Sequence, residues 1–363
     1  MQLLLHLRRW DQTEVILGVL GDRFVHPNDV DGPLLDLRGL WCLPGLADCH
    51  AHLSADSLDD RHRPGEYSAI RRRAFAQLEA GVFLLFDKGW SDEAVLRLLD
   101  EPPPERPALM AAGRIISGPQ GYFEGFAVET DEAGLVEAVA AANLSGGWVK
   151  LIGDWPQKGR GPVINFGEAA LAAAVQVVHG AGGRVAIHTM APKTPGIAVR
   201  AGVDSIEHGL FLSDGDLEVL GRRGGAWVPT VVNVESVAGS MTPGSTGARI
   251  LGEGLDNLRR LLPRAEELGV TVLCGTDLGL PHGAVSVEAD RLHQFGLSAE
   301  ATVEAVGPAA YRYSGRRFLE VGAEADLVLF DEPPSRDVTV LGRPTAGMRA
   351  GRICFDRSGV FET

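Results

Sequence analysis

Residues 37–52 read LRGLWCLPGLADCHAH, an apolar run punctuated by glycine and proline that finishes on two histidines one residue apart. The run predicts a buried strand ending at Asp48. Side chains at i and i+2 of a strand lie on the same side. His50 and His52 are therefore expected to project together from its C-terminal end, with Cys49 pointing the other way. Two convergent neutral imidazoles are a common beginning of a transition-metal site. Such pairs are also frequent on protein surfaces, so the meaning of this one depends on whether the chain supplies further ligands.

Later segments supply them. GGRVAIHTM is a short strand that stops at His188, AGVDSIEHGLF stops at His208, and GVTVLCGTDLGLPHG stops at Asp277. A further strand, GGWVKLIGDW, presents Lys150 just past its middle. Any one of these has a bland reading: a single strand-end histidine is usually a satisfied polar group, and Lys150 could simply pair with an acid such as Asp154. Chance explains the joint pattern poorly, because all these residues fall at the C-terminal ends of strands in one predicted sheet. His6, His26, His62, His179 and His293 do not share the placement.

The 363 residues allow one barrel-sized domain with a smaller appendage. Hydrophobic residues make up 45% and charged residues 23%, which marks a globular chain. A net charge of −14, with no Lys/Arg-rich stripe, argues against a nucleic-acid partner. Cys42, Cys49, Cys274 and Cys354 form no CxxC or CxxH pair, so neither a disulfide framework nor a zinc knuckle is expected. The start, MQLLLHLRRWDQTE, lacks the length and cleavage site of a signal peptide, and no stretch reaches membrane-span length. The expected compartment is the cytoplasm, with no membrane partner.

Eight apolar strand-like runs centre near Pro44, Leu84, Met110, Val149, Ala186, Ile206, Val228 and Leu273. Helical patterns fall between them at 63–80, 131–145, 167–182 and 249–268, with shorter ones near 92–100, 193–202 and 214–223. Strand–helix alternation over this length predicts an α/β fold, a closed (β/α)8 TIM-type barrel over residues 40–319. Residues 1–39 and 320–363 hold short alternating strands, expected to form one small β-sandwich from both termini.

GLADCHAH, VKLIG, AIHTM, DSIEHG, GTDLGLPHG and GAEADLVLF…MRAGRI together resemble the amidohydrolase superfamily, most closely its prolidase-like and imidazolonepropionase-like branch. The resemblance runs through essentially the whole chain. It implies that His50, His52 and Asp277 hold the more buried of two divalent ions, with zinc the expected metal, and that His188 and His208 hold the second. It further implies that Lys150 is carboxylated and bridges both ions, and that Asp277 shuttles the proton of a bridging hydroxide. Two segments depart from the family pattern: FLLFDKGWSD, where relatives commonly have TTVRDLGG, and GPAAYRYSG, where an Asn-Ala pair is usual. Neither carries a ligand, so they bear on substrate rather than chemistry.

That chemistry also follows from the residue types. A lysine buried in a barrel is disfavoured as an ammonium, and a neutral amine reacts with carbon dioxide to give an anionic carbamate suited to bridging two cations. Tyr122 and Phe123 follow the third strand, Trp155 the fourth and His282 the eighth. They lie where βα loops build a pocket, and Tyr122, Trp155 and His282 are the expected substrate contacts. The expected function is hydrolysis of an amide or peptide-type C–N bond in a small molecule, such as a dipeptide or N-acyl amino acid. Open alternatives are a mononuclear ring-opening hydrolase or deaminase, a lactonase or esterase, and a non-catalytic scaffold. Against the deaminase, the His-x-x-Glu usual after strand five is replaced by HTMAP at 188–192. Beyond the small-molecule substrate, the partner left open is a further copy of the chain.

Overall fold

The computed structural model describes residues 2–362. Its centre is a ten-stranded sheet whose main path is eight strands that follow one another in space as in sequence, with the short strands Ile116–Ser117 and Val128–Glu129 off that path. The eight are β1 (Leu46–Ala51), β2 (Val82–Asp87), β3 (Ala108–Ala112), β4 (Gly147–Ile152), β5 (Arg184–Thr189), β6 (Ser205–His208), β7 (Ala226–Val228) and β8 (Thr271–Val272). Every neighbouring pair is parallel. The sheet curls until its edges meet. Cys49 N–H donates to the Cys274 carbonyl at 2.7 Å, and Asp277 N–H donates to the His50 carbonyl at 2.8 Å. The result is a mixed α/β fold around a curled parallel sheet, consistent with a TIM-like barrel.

Inside the curl, bulky and small side chains interdigitate: Phe86 and Trp148 pack among Ala47, Ala112, Ala186 and Ala226, all buried. Helices cover the outside, including α1 (Tyr67–Glu79), α2 (Leu135–Ala140), α3 (Glu168–Gly180), α4 (Thr194–Arg200) and α5 (Asp214–Arg223). The expected helix near 92–100 is instead a 3-10 segment, Ala94–Asp100. Between β7 and β8 lie α6 (Val231–Ser240) and the long α7 (Thr246–Glu267), followed by α8 (Val285–Gln294) beyond β8. The β-branched VVNVES start of α6 disguises it as strand in the sequence. It is helical because the buried Glu288 carboxylate of α8 accepts the otherwise orphaned N–H groups of Val231 and Val232, at 2.7 and 2.9 Å.

The opening run of the sequence is not one strand but two. Pro44 lacks an N–H, and Gly45 adopts φ 143°, so the chain breaks there. Trp41–Leu43 leaves the barrel and pairs antiparallel with Leu327–Phe330, while β1 continues past Asp48 to Ala51. Two four-stranded sheets flank the barrel. One contains Gln2–Arg8, Glu14–Leu20, Arg23–Val25 and Leu34–Asp36, the other Trp41–Leu43, Leu327–Phe330, Ala346–Arg349 and Arg352–Asp356. Their inner faces share one apolar cluster, with Leu5, Leu7 and Val19 against Leu327, Leu329 and Met348. No helix among the described residues is long and apolar enough to cross a membrane.

Candidate metal centre

The C-terminal ends of the barrel strands converge on one cavity. Strand β1 delivers its histidines through an irregularity, since its register with β2 shifts between Asp48 and Ala51. Asp48 holds the distorted segment to the far edge of the sheet. Its carboxylate accepts from His50 N–H at 3.2 Å, Thr276 N–H at 3.1 Å and the Thr276 hydroxyl at 2.7 Å. One expectation is corrected here. Cys49 packs with Ala47 and Phe86 inside the barrel rather than pointing away from the histidines, because the register shift breaks the period-two alternation on which that expectation rested.

His52 and His208 each have Nδ1 engaged outside the cluster and Nε2 turned to the cavity. His50 Nδ1 lies 2.7 Å from Glu207 Oε2, and its Nε2 lies 3.3 Å from Asp277 Oδ1. His52 Nδ1–H donates to the Gly89 carbonyl at 2.7 Å, with Nε2 3.2 Å from the same Asp277 oxygen. His208 Nδ1 lies 2.6 Å from Thr230 Oγ1, whose hydroxyl donates to the Pro229 carbonyl at 2.8 Å, so the imidazole is the donor of that pair. His208 Nε2 then faces His188 Nδ1 at 2.9 Å and Asp277 Oδ2 at 3.7 Å. His50, His52 and Asp277 each offer one donor atom, and these three atoms lie within 4.8 Å of one another. Burial pushes the His188 imidazole well below its usual range and His208 down to about 3, so both are neutral and present lone pairs near pH 7.

The backbone around this cluster is strained. His208 (φ 62°), Thr230 (φ 49°), Asp277 (φ 44°) and Leu278 (φ 57°) all sit in the left-handed region without being glycine. Such conformations persist only where the surroundings over-determine them, and they gather at functional sites. The Asp277 carbonyl, for instance, accepts from Asn233 Nδ2 at 2.6 Å while its N–H is held by His50.

Lys150 lies at the floor of the cavity, 2% exposed, and its Nζ has no hydrogen-bond partner. The bland pairing with Asp154 is not made. That carboxylate accepts instead from Met190 N–H and Ala191 N–H at about 3 Å, pinning the loop after β5. Burial pushes the Lys150 ammonium down to about 8, partly opposed by Glu207. An orphaned buried amine beside two imidazole pairs and a carboxylate suits a group that brings positive charge with it. His50, His52 and Asp277 form a donor set that could hold a metal ion.

Tyr122 and Trp155 line this cavity as expected, together with Phe123. His282 does not. Its Nε2 is engaged by the Ala55 carbonyl at 2.8 Å, and the residue borders a separate surface cleft with Arg72 and Arg73. The Leu278–Pro281 turn carries it across the rim.

Two residues escaped the sequence reading. Glu207 and Lys88 are both fully buried, with Lys88 Nζ 3.1 Å from Glu207 Oε1 and 4.3 Å over the Trp148 ring. Neighbouring strand residues 207 and 208 should face opposite ways. The left-handed turn at His208 brings both inward, so Glu207 supports His50 from below. Burial alone would raise the Glu207 carboxyl, but Lys88 and Lys150 hold it below the usual carboxylate range. The signal in the sequence was the lysine of FDKGW, which directly follows the apolar run of β2. Replacing Glu207 with Ala is expected to strand Lys88 as a buried unpaired cation, costing about 3–5 kcal/mol of stability. The double variant Lys88→Met, Glu207→Gln removes both charges and should recover much of the melting temperature. If the support of His50 matters, that double variant should still bind metal about 10–100-fold more weakly in chelator competition.

The family model described as "Amidohydrolase family" matches residues 41–354. Uncharacterised proteins of Mycobacterium tuberculosis and Mycobacterium bovis are 32% identical over 351 residues, covering 94% of this chain and 92% of theirs. Among solved structures, a Xaa-Pro dipeptidase with bound methionine in the active site has a TM-score of 0.79 at 22% identity, covering 97% of this chain and 99% of that one. Aspergillus niger ochratoxinase has a TM-score of 0.80 at 17% identity, covering 98% and 96%. At these identities the structural likeness speaks for the fold. With the family match extending over most of the barrel and its C-terminal sheet, the chain belongs to the amidohydrolase family.

Proposed function

We propose that this chain is a binuclear metal-dependent hydrolase that cleaves an amide C–N bond of a small molecule. The observation that carries this reading is the convergence of His50, His52 and Asp277 above an unpartnered, buried Lys150. In this reading His50, His52 and Asp277 hold one ion, His188 and His208 the other, and zinc is the expected metal. Two divalent ions, when bound, acidify a shared water to a pKa of about 7 and polarise a carbonyl oxygen. The Lys150 amine forms an Nζ–C bond to carbon dioxide and releases a proton to solvent, leaving an anionic carbamate at the floor of the cavity. Asp277 takes the proton of the attacking water and returns it to the departing nitrogen. The Gly89 carbonyl holds His52 in the tautomer that keeps Nε2 free, and Glu207 flanks Nδ1 of His50.

The same reading takes the curled sheet as a closed (β/α)8 barrel and the two flanking sheets as one composite β-sandwich. It places the protein in the cytoplasm, in keeping with four unpaired cysteines.

Elemental analysis of the purified protein should find about two ions per chain. Exhaustive chelation should abolish amide hydrolysis, and zinc should restore it. One ion per chain would favour the mononuclear alternative. Full activity after verified removal of metal would overturn the reading.

A further inference from the structure

The cavity above the metal cluster has a volume of about 400 Å³, within the range of about 300–1,000 Å³ that holds drug-sized ligands. Its walls are unusual for a site that must grip a peptide. On one side Tyr122, Phe123 and Trp155 form a compact aromatic cluster, with ring centroids 4.6 Å apart for Tyr122–Trp155 and 4.8 Å for Phe123–Trp155. Trp155 in turn lies 5.7 Å from the His188 ring, so the aromatic wall reaches the reacting centre. On the other side stand Val237 of α6, Met241 just after it, and Ile250 of α7. Histidines and Tyr122 aside, the titratable groups lining the cavity are Lys150, Asp154 and Asp277, and Lys150 is its single amine or guanidinium among the described residues. Lys150 and Asp277 belong to the metal cluster, and Asp154 is committed to the Met190 and Ala191 amides. Arg61 stacks over the Phe123 ring at 5.3 Å, but its Nη1 donates to the Leu58 carbonyl and it does not line the cavity.

A dipeptide or an N-acyl amino acid carries a carboxylate a few bonds from its scissile amide. Recognition of a carboxylate takes an arginine, a lysine or a set of free N–H donors, and burying it without them is strongly unfavourable. The walls offer no arginine and no amine beyond Lys150; their polar groups outside the metal cluster are those of Tyr122, Asp154, Asn233 and Thr246 and backbone groups such as that of Gly247. The walls reward aromatic and branched carbon, which buries well and stacks on Tyr122, Phe123 and Trp155. A polar contact for the amide itself comes from Asn233. Asn233 spends its Nδ2 on the Asp277 carbonyl, leaving its Oδ1 to accept a substrate N–H.

We propose that the substrate is an uncharged amide bearing an aromatic or branched apolar group beside the scissile bond, and that carboxylate-bearing peptides are disfavoured. This assignment rests on the reading of the site as an amide hydrolase, and the test separates the two. N-Benzoylphenylalanine and N-benzoylphenylalaninol share a skeleton and differ in a carboxylate against a hydroxymethyl group. The zinc-loaded protein should cleave the alcohol with a kcat/KM about tenfold or more above that of the acid, the penalty of an unpaired buried charge. Trp155→Ala should lower kcat/KM for the alcohol by about tenfold, and by a smaller factor for the matching N-acetyl compound, which has a much smaller acyl group. Equal rates, or a preference for the acid, would overturn the assignment. Calorimetry on the same pair covers the case in which neither is cleaved. Tighter binding of the alcohol then supports the apolar-substrate assignment and counts against the amide-hydrolase reading, whereas equal binding, tighter binding of the acid, or no binding of either overturns the assignment itself.

Discussion

Replacement of Lys150 by alanine or methionine is expected to reduce bound metal from about two ions per chain to one or fewer, and to remove most activity. Loss of one ion forfeits several kcal/mol of charge stabilisation, about 10²–10⁴-fold in rate. Lys150 is buried with an unpartnered amine, and the amine is pushed down to about 8 by desolvation, so the neutral form that reacts with carbon dioxide becomes accessible near neutral pH. Reconstitution of metal-free protein with zinc should therefore need bicarbonate, and should quicken as pH rises towards about 8. Short carboxylates such as acetate should partly rescue the alanine variant by occupying the space of the missing bridge. Methionine provides the control for folding. It removes a buried, unsatisfied amine, so the metal-free Lys150→Met variant should melt no lower than the metal-free wild type. Full metal content and full activity in both variants would rule out the bridge.

Asp277→Asn should separate proton transfer from metal binding. The substitution keeps the size and one donor oxygen but removes the base. The Asp277 side chain is placed for both tasks: one oxygen lies within 3.3 Å of the Nε2 atoms of His50 and His52, and the other lies 3.7 Å from His208. Burial would raise its carboxyl, but His50, His52 and Lys150 outweigh that and hold it down to about 2, so it is ionised and able to accept a proton throughout the physiological range. General acid–base groups typically contribute about 10²–10⁴-fold, so kcat should fall by that much on the best substrate. Metal content, measured on the same samples, should fall far less. The acidic limb of the kcat/KM profile should report a value belonging to Asp277 and the water it deprotonates together, since the two titrate as a pair. Near-normal kcat in the Asn variant would leave Asp277 as a ligand alone. The base would then have to be sought elsewhere, and His282 is a poor candidate because it lies outside the cavity.

Much of this was legible in the residues. The eight strands of the barrel are marked by apolar runs, and each observed range falls within a few residues of such a run, because buried parallel strands must be apolar on both faces. The ligand set was legible for a related reason. Chemistry in such barrels gathers at the C-terminal ends of strands, so a polar residue that stops an apolar run there is conspicuous. What the period-two rule could not anticipate were its local failures. Cys49 turned inward and Glu207 joined His208 in the interior because a register shift in β1 and a left-handed residue in β6 each break the alternation.

The sequence by itself determined the class of the protein: the order of strands and helices, the family, and the residue types able to bind cations. These depend on hydrophobic period and on motif spacing, both written locally along the chain. Tertiary structure alone decided the rest. It joined Lys88 of β2's end to Glu207 of β6 across the barrel interior, turned His282 over the rim to the Ala55 carbonyl, and set an aromatic wall opposite an aliphatic one. Each of these relations links residues far apart in sequence. Their contact energies exist only once the sheet has curled and its edges have met, so no window along the chain contains them.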